Sequence, residues 1–352
     1  SGASAFAWSM LVDTDEPERI ARDIQAAGGE THADEVASWI SRWRADDWLG
    51  RADRPGAPVR KDEWLSDRET LTTLSDDESL EAEAPIEAGG VRFRIRADQT
   101  DVLELALAPF TNLRAAHTSE AVRSARISIT TEPAGYRFHV DNRYTDFCER
   151  VDEIAPMLKM WVFELILQDA PYDLVLHASA LSRGDRLLLL AAASGSGKST
   201  LSAALAARGF ALHCDDCILF SGSGELSPIQ FPVTLKAGSW PVLSDLYPEL
   251  MGSPAYLRSD GLTVKYLSPA MAPMKDATPI LIFPQFDPDT AFEVYEMHRA
   301  DAVQHLLEDA HTSGLRMTCE QFEAFVGWMS TVSCLELAYS RIDDAEQALR
   351  AL

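Results

Sequence analysis

The sequence predicts an α/β protein in three parts: an acidic helical segment and linker over residues 1–90, a small α+β unit over 91–171, and a larger α/β unit over 172–352. Three observations predict it. Period-two stretches such as Val91-Arg92-Phe93-Arg94-Ile95-Arg96 mark half-buried strands. From residue 172 the strand-like stretches become continuous apolar runs, the pattern of strands buried on both faces. Charge divides the chain as well. Residues 1–90 carry 21 Asp+Glu against 9 Lys+Arg, half of the total net charge of −24.

In the front segment Val36, Trp39, Ile40 and Trp43 fall at i, i+3, i+4 and i+7 and form one apolar helix face. Thr31 or Asp34 caps this helix, which runs to about Arg44. Residues 51–90 read as a linker. Arg54-Pro55-Gly56-Ala57-Pro58 interrupts regular structure, and the acidic stretches 75–79 and 81–87 read as solvated. In the second part Val102 to Leu113 suits a helix. Strands at 125–130 and 136–140 join through the turn Glu132-Pro133-Ala134-Gly135 as a hairpin. A long helix follows from about Asp146 to Leu167, with Ile154, Leu158, Trp161 and Leu165 on a wide apolar face. In the third part, strands at 174–181 and 187–193 flank the turn Ser182-Arg183-Gly184-Asp185. A loop of small residues then leads into a helix to Ala207. Gly209 stops that helix, and 211–220 returns as another strand.

Composition bounds the function. With 46% hydrophobic residues, the 352-residue chain can bury a sizeable core. A charge of −24 repels phosphate backbones and anionic membrane surfaces. Nucleic acid and membrane are therefore not expected as partners, whereas a basic peptide is permitted. The longest apolar run, 187–193, is far short of the roughly 20 residues of a membrane helix. Ser1-Gly2-Ala3-Ser4 lacks the basic stretch of a signal peptide, and five cysteines fit a reducing compartment, so a cytoplasmic location is expected.

Ala192-Ala193-Ser194-Gly195-Ser196-Gly197-Lys198-Ser199 is the strongest signal. Small residues let backbone N–H groups close around an anion, and a helix N-terminus behind them adds a positive dipole. Lysine reaches β/γ-phosphates, and a hydroxyl ligates magnesium. The usual phosphate-loop pattern opens with glycine, where this chain has Ala192. Downstream, His213-Cys214-Asp215-Asp216-Cys217 places paired aspartates inside an apolar strand. Such acids are costly unless they meet a cation or water. One would hold Mg²⁺ and the other would accept the proton of an attacking hydroxyl; the sequence does not say which. The Cys214-x-x-Cys217 spacing reads as buried thiols, because a zinc site needs two further ligands.

The order of these features carries a resemblance. A strand with His177-Ala178-Ser179-Ala180 is followed by an apolar strand, the small-residue loop, a helix ending Arg208-Gly209-Phe210 and a strand with Asp215-Asp216. In this order the chain resembles the HPr kinase/phosphorylase family. More narrowly it resembles the HPr-kinase-like proteins found beside bacterial peptide-modification and exosortase systems, including lasso-peptide kinases. Their nucleotide core is similar to phosphoenolpyruvate carboxykinase. The resemblance covers about residues 172–350, more weakly 91–171, and not 1–85. It implies an α/β P-loop kinase core that uses ATP and Mg²⁺ and phosphorylates a hydroxyl, foremost a serine of a peptide or protein. A small-molecule hydroxyl kinase, or a nucleotide-dependent binding module without transfer, are the alternatives.

The resemblance also implies roles. Ser194, Gly195, Ser196, Gly197, Lys198, Ser199 and Thr200 would bind the ATP phosphates, with Ser199 on Mg²⁺. His177 would sit beside the γ-phosphate. Asp215 would be the general base and Asp216 a magnesium ligand, or the reverse. Lys236, closing Phe231-Pro232-Val233-Thr234-Leu235-Lys236, would contact phosphate. Ile282-Phe283-Pro284-Gln285-Phe286 resembles a late strand that carries arginine where Gln285 stands; that contact is either lost or supplied by Arg299. Leu337-Ala338-Tyr339-Ser340, with Asp343-Asp344-Ala345, looks like the closing helix segment. Two departures stand out. Thr200 replaces the acid that usually follows Gly-Lys-Ser, and the N-terminal domain of the bifunctional enzymes is not evident. Neither phosphorylase activity nor HPr as substrate is therefore implied. Relatives often form rings, which allows a homo-oligomer, and the acidic front segment is a candidate grip for a basic peptide.

Overall fold

Alternating apolar and charged side chains build the first sheet. In the computed structural model, residues 80–352 are described except 115–122, 142–143, 170–171, 193–194, 223, 275–276, 309–310 and 313–316; of the first 79 residues, Arg22 and Ala37 are described. The helix expected near 31–44, most of the expected linker and Ser194 therefore lie outside the described residues.

β1 (Ala82–Ala88) and β2 (Val91–Ala97) form a hairpin around Gly89-Gly90. β3 (Arg123–Glu132) adds parallel to β2, and β4 (Gly135–Val140) and β5 (Tyr144–Cys148) complete a five-stranded sheet. The β3–β4 hairpin is the one the turn signal predicted. α1 (Thr100–Leu107), continued by a 3₁₀ turn over Ala108–Leu113, and α2 (Ile154–Asp169) pack with it. Two expectations are corrected here. The acidic stretch 81–87 is strand β1 rather than linker, with Ile86 and Ala88 buried. Its acids are balanced by arginines of β2: Arg92 bonds Glu87 at 2.7 Å, and Arg96 lies 3.6 Å from Glu83. The long helix starts at Ile154 and not near Asp146, because Tyr144–Cys148 pairs with β4.

The larger part begins with β6 (Leu174–Leu176), β7 (Ala178–Arg183) and β8 (Arg186–Ala191), followed by α3 (Lys198–Ala207), β9 (Ala211–Cys214) and β10 (Ile218–Phe220). Then come β11 (Leu226–Pro228), β12 (Val233–Lys236), short helices α4 (Ser239–Leu243) and α5 (Glu249–Gly252), β13 (Tyr256–Leu257) and β14 (Thr263–Leu267). β15 (Thr278–Phe286), β16 (Glu293–Glu296), α6 (Arg299–Glu308), β17 (His311–Thr312), α7 (Cys319–Thr331), β18 (Ser333–Tyr339) and α8 (Ile342–Ala351) close the chain.

The main sheet has the order β16-β18-β15-β8-β7-β9. β8, β15 and β18 are parallel, and β9, antiparallel to β7, points the same way as β8. Their carboxyl ends therefore share one edge, which in α/β sheets is where ligands bind. Apolar clusters fill both faces: Leu188, Leu190 and Ile282 on one, Leu187, Leu189 and Leu281 on the other. This is the two-sided burial that the continuous apolar runs predicted. The architecture is thus mixed α/β.

Two strands expected as continuous are each broken at a polar residue. The chain passes from β6, in the sheet β11-β10-β6-β17, to β7 in the main sheet at His177. It makes the reverse passage at Asp215-Asp216-Cys217, between β9 and β10. Leu176 pairs with Ile218 and Ala180 with Cys214, so the two breaks face each other. A third correction concerns Leu337–Tyr339, expected in a closing helix segment: it is the end of β18, paired parallel with Pro284–Phe286, and α8 starts only at Ile342. Among the described residues no helix is long and apolar enough to cross a membrane.

Candidate functional site

The turn after β8 is shaped by glycine. Gly195 and Gly197 have φ of +98° and +93°, a left-handed backbone that residues with a Cβ rarely adopt. The turn is braced from the sheet, since Phe286 N–H donates to Ser196 O at 3.3 Å. Lys198 follows as the first residue of α3, so the loop meets the free N–H groups and positive end of that helix. Its side chain is buried, with Nζ donating to His177 O at 3.5 Å and lying 3.9 Å from Asp216 Oδ1.

The two facing strand breaks supply the rest. His177 Nε2 is 3.1 Å from Asp216 Oδ1. Asp215, only 1% exposed, accepts from Ser179 Oγ at 2.9 Å through Oδ1, and the same hydroxyl also reaches Asp215 O at 2.7 Å. Among the described residues, Asp215 Oδ2 has no hydrogen-bond partner. The Ser199 hydroxyl approaches the same carboxyl and favours its charged form without closing a bond to Oδ2. Ser196 Oγ is likewise buried and has no partner among the described residues.

The paired acids differ in ionisation. Burial pushes the Asp215 carboxyl above the ordinary range and the charge on Asp216 adds to this, against Lys198, Ser199 and Ser179. Burial acts in the same direction on Asp216. There Lys159, then His177 and Lys198, outweigh it and hold the carboxyl well below the ordinary range.

Lys159 was not legible as a site residue. It lies on α2, in the preceding part of the chain, and its side chain is 15% exposed. Nζ sits 3.3 Å from Asp216 Oδ2 and donates to Thr234 Oγ1 at 2.8 Å, over the rings of Phe231 and Tyr266. The signal was its isolation: it is the one charged residue in the run Ile154 to Phe163. Ser179 and Thr234 were missed for a similar reason, being single hydroxyls within apolar strands.

The structure thus brings together Lys198, His177, Asp215, Asp216 and Ser199 beside the Gly195–Gly197 turn. Thr200 is not in that group, because its hydroxyl is engaged with Ser239 Oγ at 2.6 Å. Lys236 stands two residues beyond Thr234 on the same face of β12. Gln285 is exposed near the end of β15. Arg299 does not replace it: its Nε donates to Val332 O at 3.4 Å, at the start of β18, whereas Tyr339, beside Gly197, is at the other end of that strand.

Chemically, the Lys198 ammonium and the helix N-terminus it begins suit a polyanion. The unpartnered Asp215 Oδ2 beside Ser199 suits a divalent cation that takes its other ligands from phosphate and water, as Mg²⁺ does. No protein-family model matches the sequence, and no curated protein is significantly similar to it.

Proposed function

We propose that the protein is an ATP-dependent phosphotransferase of the HPr-kinase-like P-loop type that phosphorylates a hydroxyl, foremost a serine of a peptide or protein. The observation that carries the reading is the meeting of Lys198, at the N-terminus of α3, with the Asp215–Asp216 pair at the break between β9 and β10. The Gly195–Gly197 turn and Lys198 would hold the β- and γ-phosphates. Of the alternatives for the paired acids, burial favours one. Asp215, enclosed beside Ser199, would hold magnesium with that hydroxyl, and magnesium when bound supplies charge neutralisation to the phosphates. Asp216, whose side chain is 32% exposed next to His177, would accept the proton of the attacking hydroxyl. Its depressed pKa suits a loose transition state, in which position counts for more than basicity.

The test is incubation with γ-labelled MgATP and serine-containing peptides. Lys198→Ala should abolish transfer and nucleotide binding together. Asp215→Asn should abolish transfer, and Asp216→Asn should do so with nucleotide still bound. An active Lys198→Ala protein overturns the reading. One observation favours a second reading, a nucleotide-dependent binding module without transfer: Gln285 stands where the resemblance has arginine, and Arg299 lies at the far end of β18. Intact masses of candidate substrates after exposure to MgATP separate the two.

A further inference from the structure

Asp216 is gripped on both oxygens from different parts of the chain. Oδ1 faces His177 and Lys198, which belong to the candidate site itself. Oδ2 takes Lys159, which comes from α2. That lysine is itself firmly seated. Thr234 Oγ1 accepts one of its protons, and its ammonium lies 5.4 Å and 5.7 Å from the ring centroids of Phe231 and Tyr266. Leu158, Trp161 and Val162, its neighbours on α2, are fully buried and fix the helix that carries it. A long flexible side chain loses several rotamers when held this way, so it contributes only where its surroundings hold it in one place. Here they do.

We propose that Lys159 is a positioning residue for Asp216. By holding Oδ2 it keeps the Oδ1 edge turned toward His177 and Lys198, where the acceptor hydroxyl would approach. The α+β unit therefore completes the site. This rests on the kinase reading for its catalytic meaning, but the placement of the carboxylate is a claim of its own. Lys159 touches neither nucleotide nor acceptor in this role. Its loss should lower the rate of transfer and spare nucleotide affinity.

The experiment uses the full chain with Lys159→Met, which keeps the stem and removes the charge, and Thr234→Val, which preserves strand shape and frees the ammonium. Transfer rate, nucleotide affinity and the crystal structure of each variant are measured. The expected result for Lys159→Met is a fall in kcat of at least about 10-fold, with nucleotide affinity within about 2-fold of wild type. Its crystal structure should show the Asp216 carboxylate turned away from His177. Thr234→Val should show a smaller fall of the same kind, which decides the matter if Lys159→Met does not fold. Unchanged kcat overturns the proposal. So does a loss of nucleotide affinity in step with kcat, which would make Lys159 a nucleotide ligand. If wild type transfers no phosphate, the kinase reading fails. The crystal structures then decide the placement alone: an unmoved carboxylate in Lys159→Met overturns it, and a displaced one supports it.

Discussion

Asp215 and Asp216 are chain neighbours pushed in opposite directions from an ordinary aspartate value of about 3.9. For Asp216 the folded value is depressed. Its contribution to stability is complete above the unfolded value and is lost as pH falls through the depressed one. For Asp215 the sign reverses. The folded protein keeps a proton that the unfolded chain releases, so folding weakens as pH climbs from about 4 toward the raised value. Asp215→Asn keeps an acceptor for Ser179 and removes the titration. Without divalent ions, the variant should therefore gain stability relative to wild type between about pH 4.5 and about pH 7.5. Urea midpoints of both proteins at the two pH values check this; a difference that does not move with pH refutes it. The residue scale also shows where the sequence was readable. Lys198 is legible from the small-residue loop that precedes it, and Asp215 from a polar pair inside an apolar strand, whereas the role of His177 comes only from the resemblance. Lys159 escaped because its partners are 57 and 75 residues away, and no local pattern encodes such a distance.

At the scale of elements, the strands were legible but their breaks were not. Both 174–181 and 211–220 are apolar enough to read as single strands. Apolarity does not say which sheet a residue pairs in, and the switch between sheets depends on partners distant in sequence. The acidic stretch 81–87 misled for a related reason. Read alone it is a run of like charge, and only the arginines facing it across the β1–β2 hairpin make it a strand. The turn after β8, by contrast, is local and was read correctly as a site for glycine. Its two glycines make separable predictions. A left-handed backbone costs an ordinary residue about 1–2 kcal/mol. Gly195→Ala meets only that cost, since among the described residues other than its chain neighbours nothing lies within 4 Å of the added Cβ. Gly197→Ala adds contacts of 3.1 Å with the Tyr339 hydroxyl and 3.3 Å with Phe286 Cβ. Chemical denaturation should show Gly197→Ala as the less stable variant. On the proposed kinase reading it should also bind nucleotide at least about 10-fold more weakly than Gly195→Ala, because displacing Phe286 moves the backbone group that braces Ser196. Equal effects of the two substitutions would show that the bracing does not shape the loop.

For the whole molecule, the change of pattern at residue 172 marked a change of strand type and not a break in the core. One apolar cluster holds Phe93, Ile127, Trp161 and Ile166 from the smaller part together with Val175, Leu219, Phe231 and Val264 from the larger. The Asn112 amide spans the same boundary, donating to Gln230 O at 2.8 Å. Lys159 crosses it too, so packing and the candidate site are joined at one place. Parts that share a core cannot unfold independently without exposing it, and at about 25 cal/mol per Å² that exposure makes separate opening unfavourable. The prediction concerns hydrogen exchange in the full chain under increasing denaturant. Amides of α2 and of β6 and β10 should exchange through one opening, with the same free energy and the same denaturant slope. If α2 instead opens at clearly lower free energy than β6 and β10, the two parts are separate cooperative units. A positioning role for Lys159 would then require α2 to be docked for as long as a turnover lasts. A single opening makes that docking a property of the fold, and ties the fate of the site to a helix that the sequence places outside it.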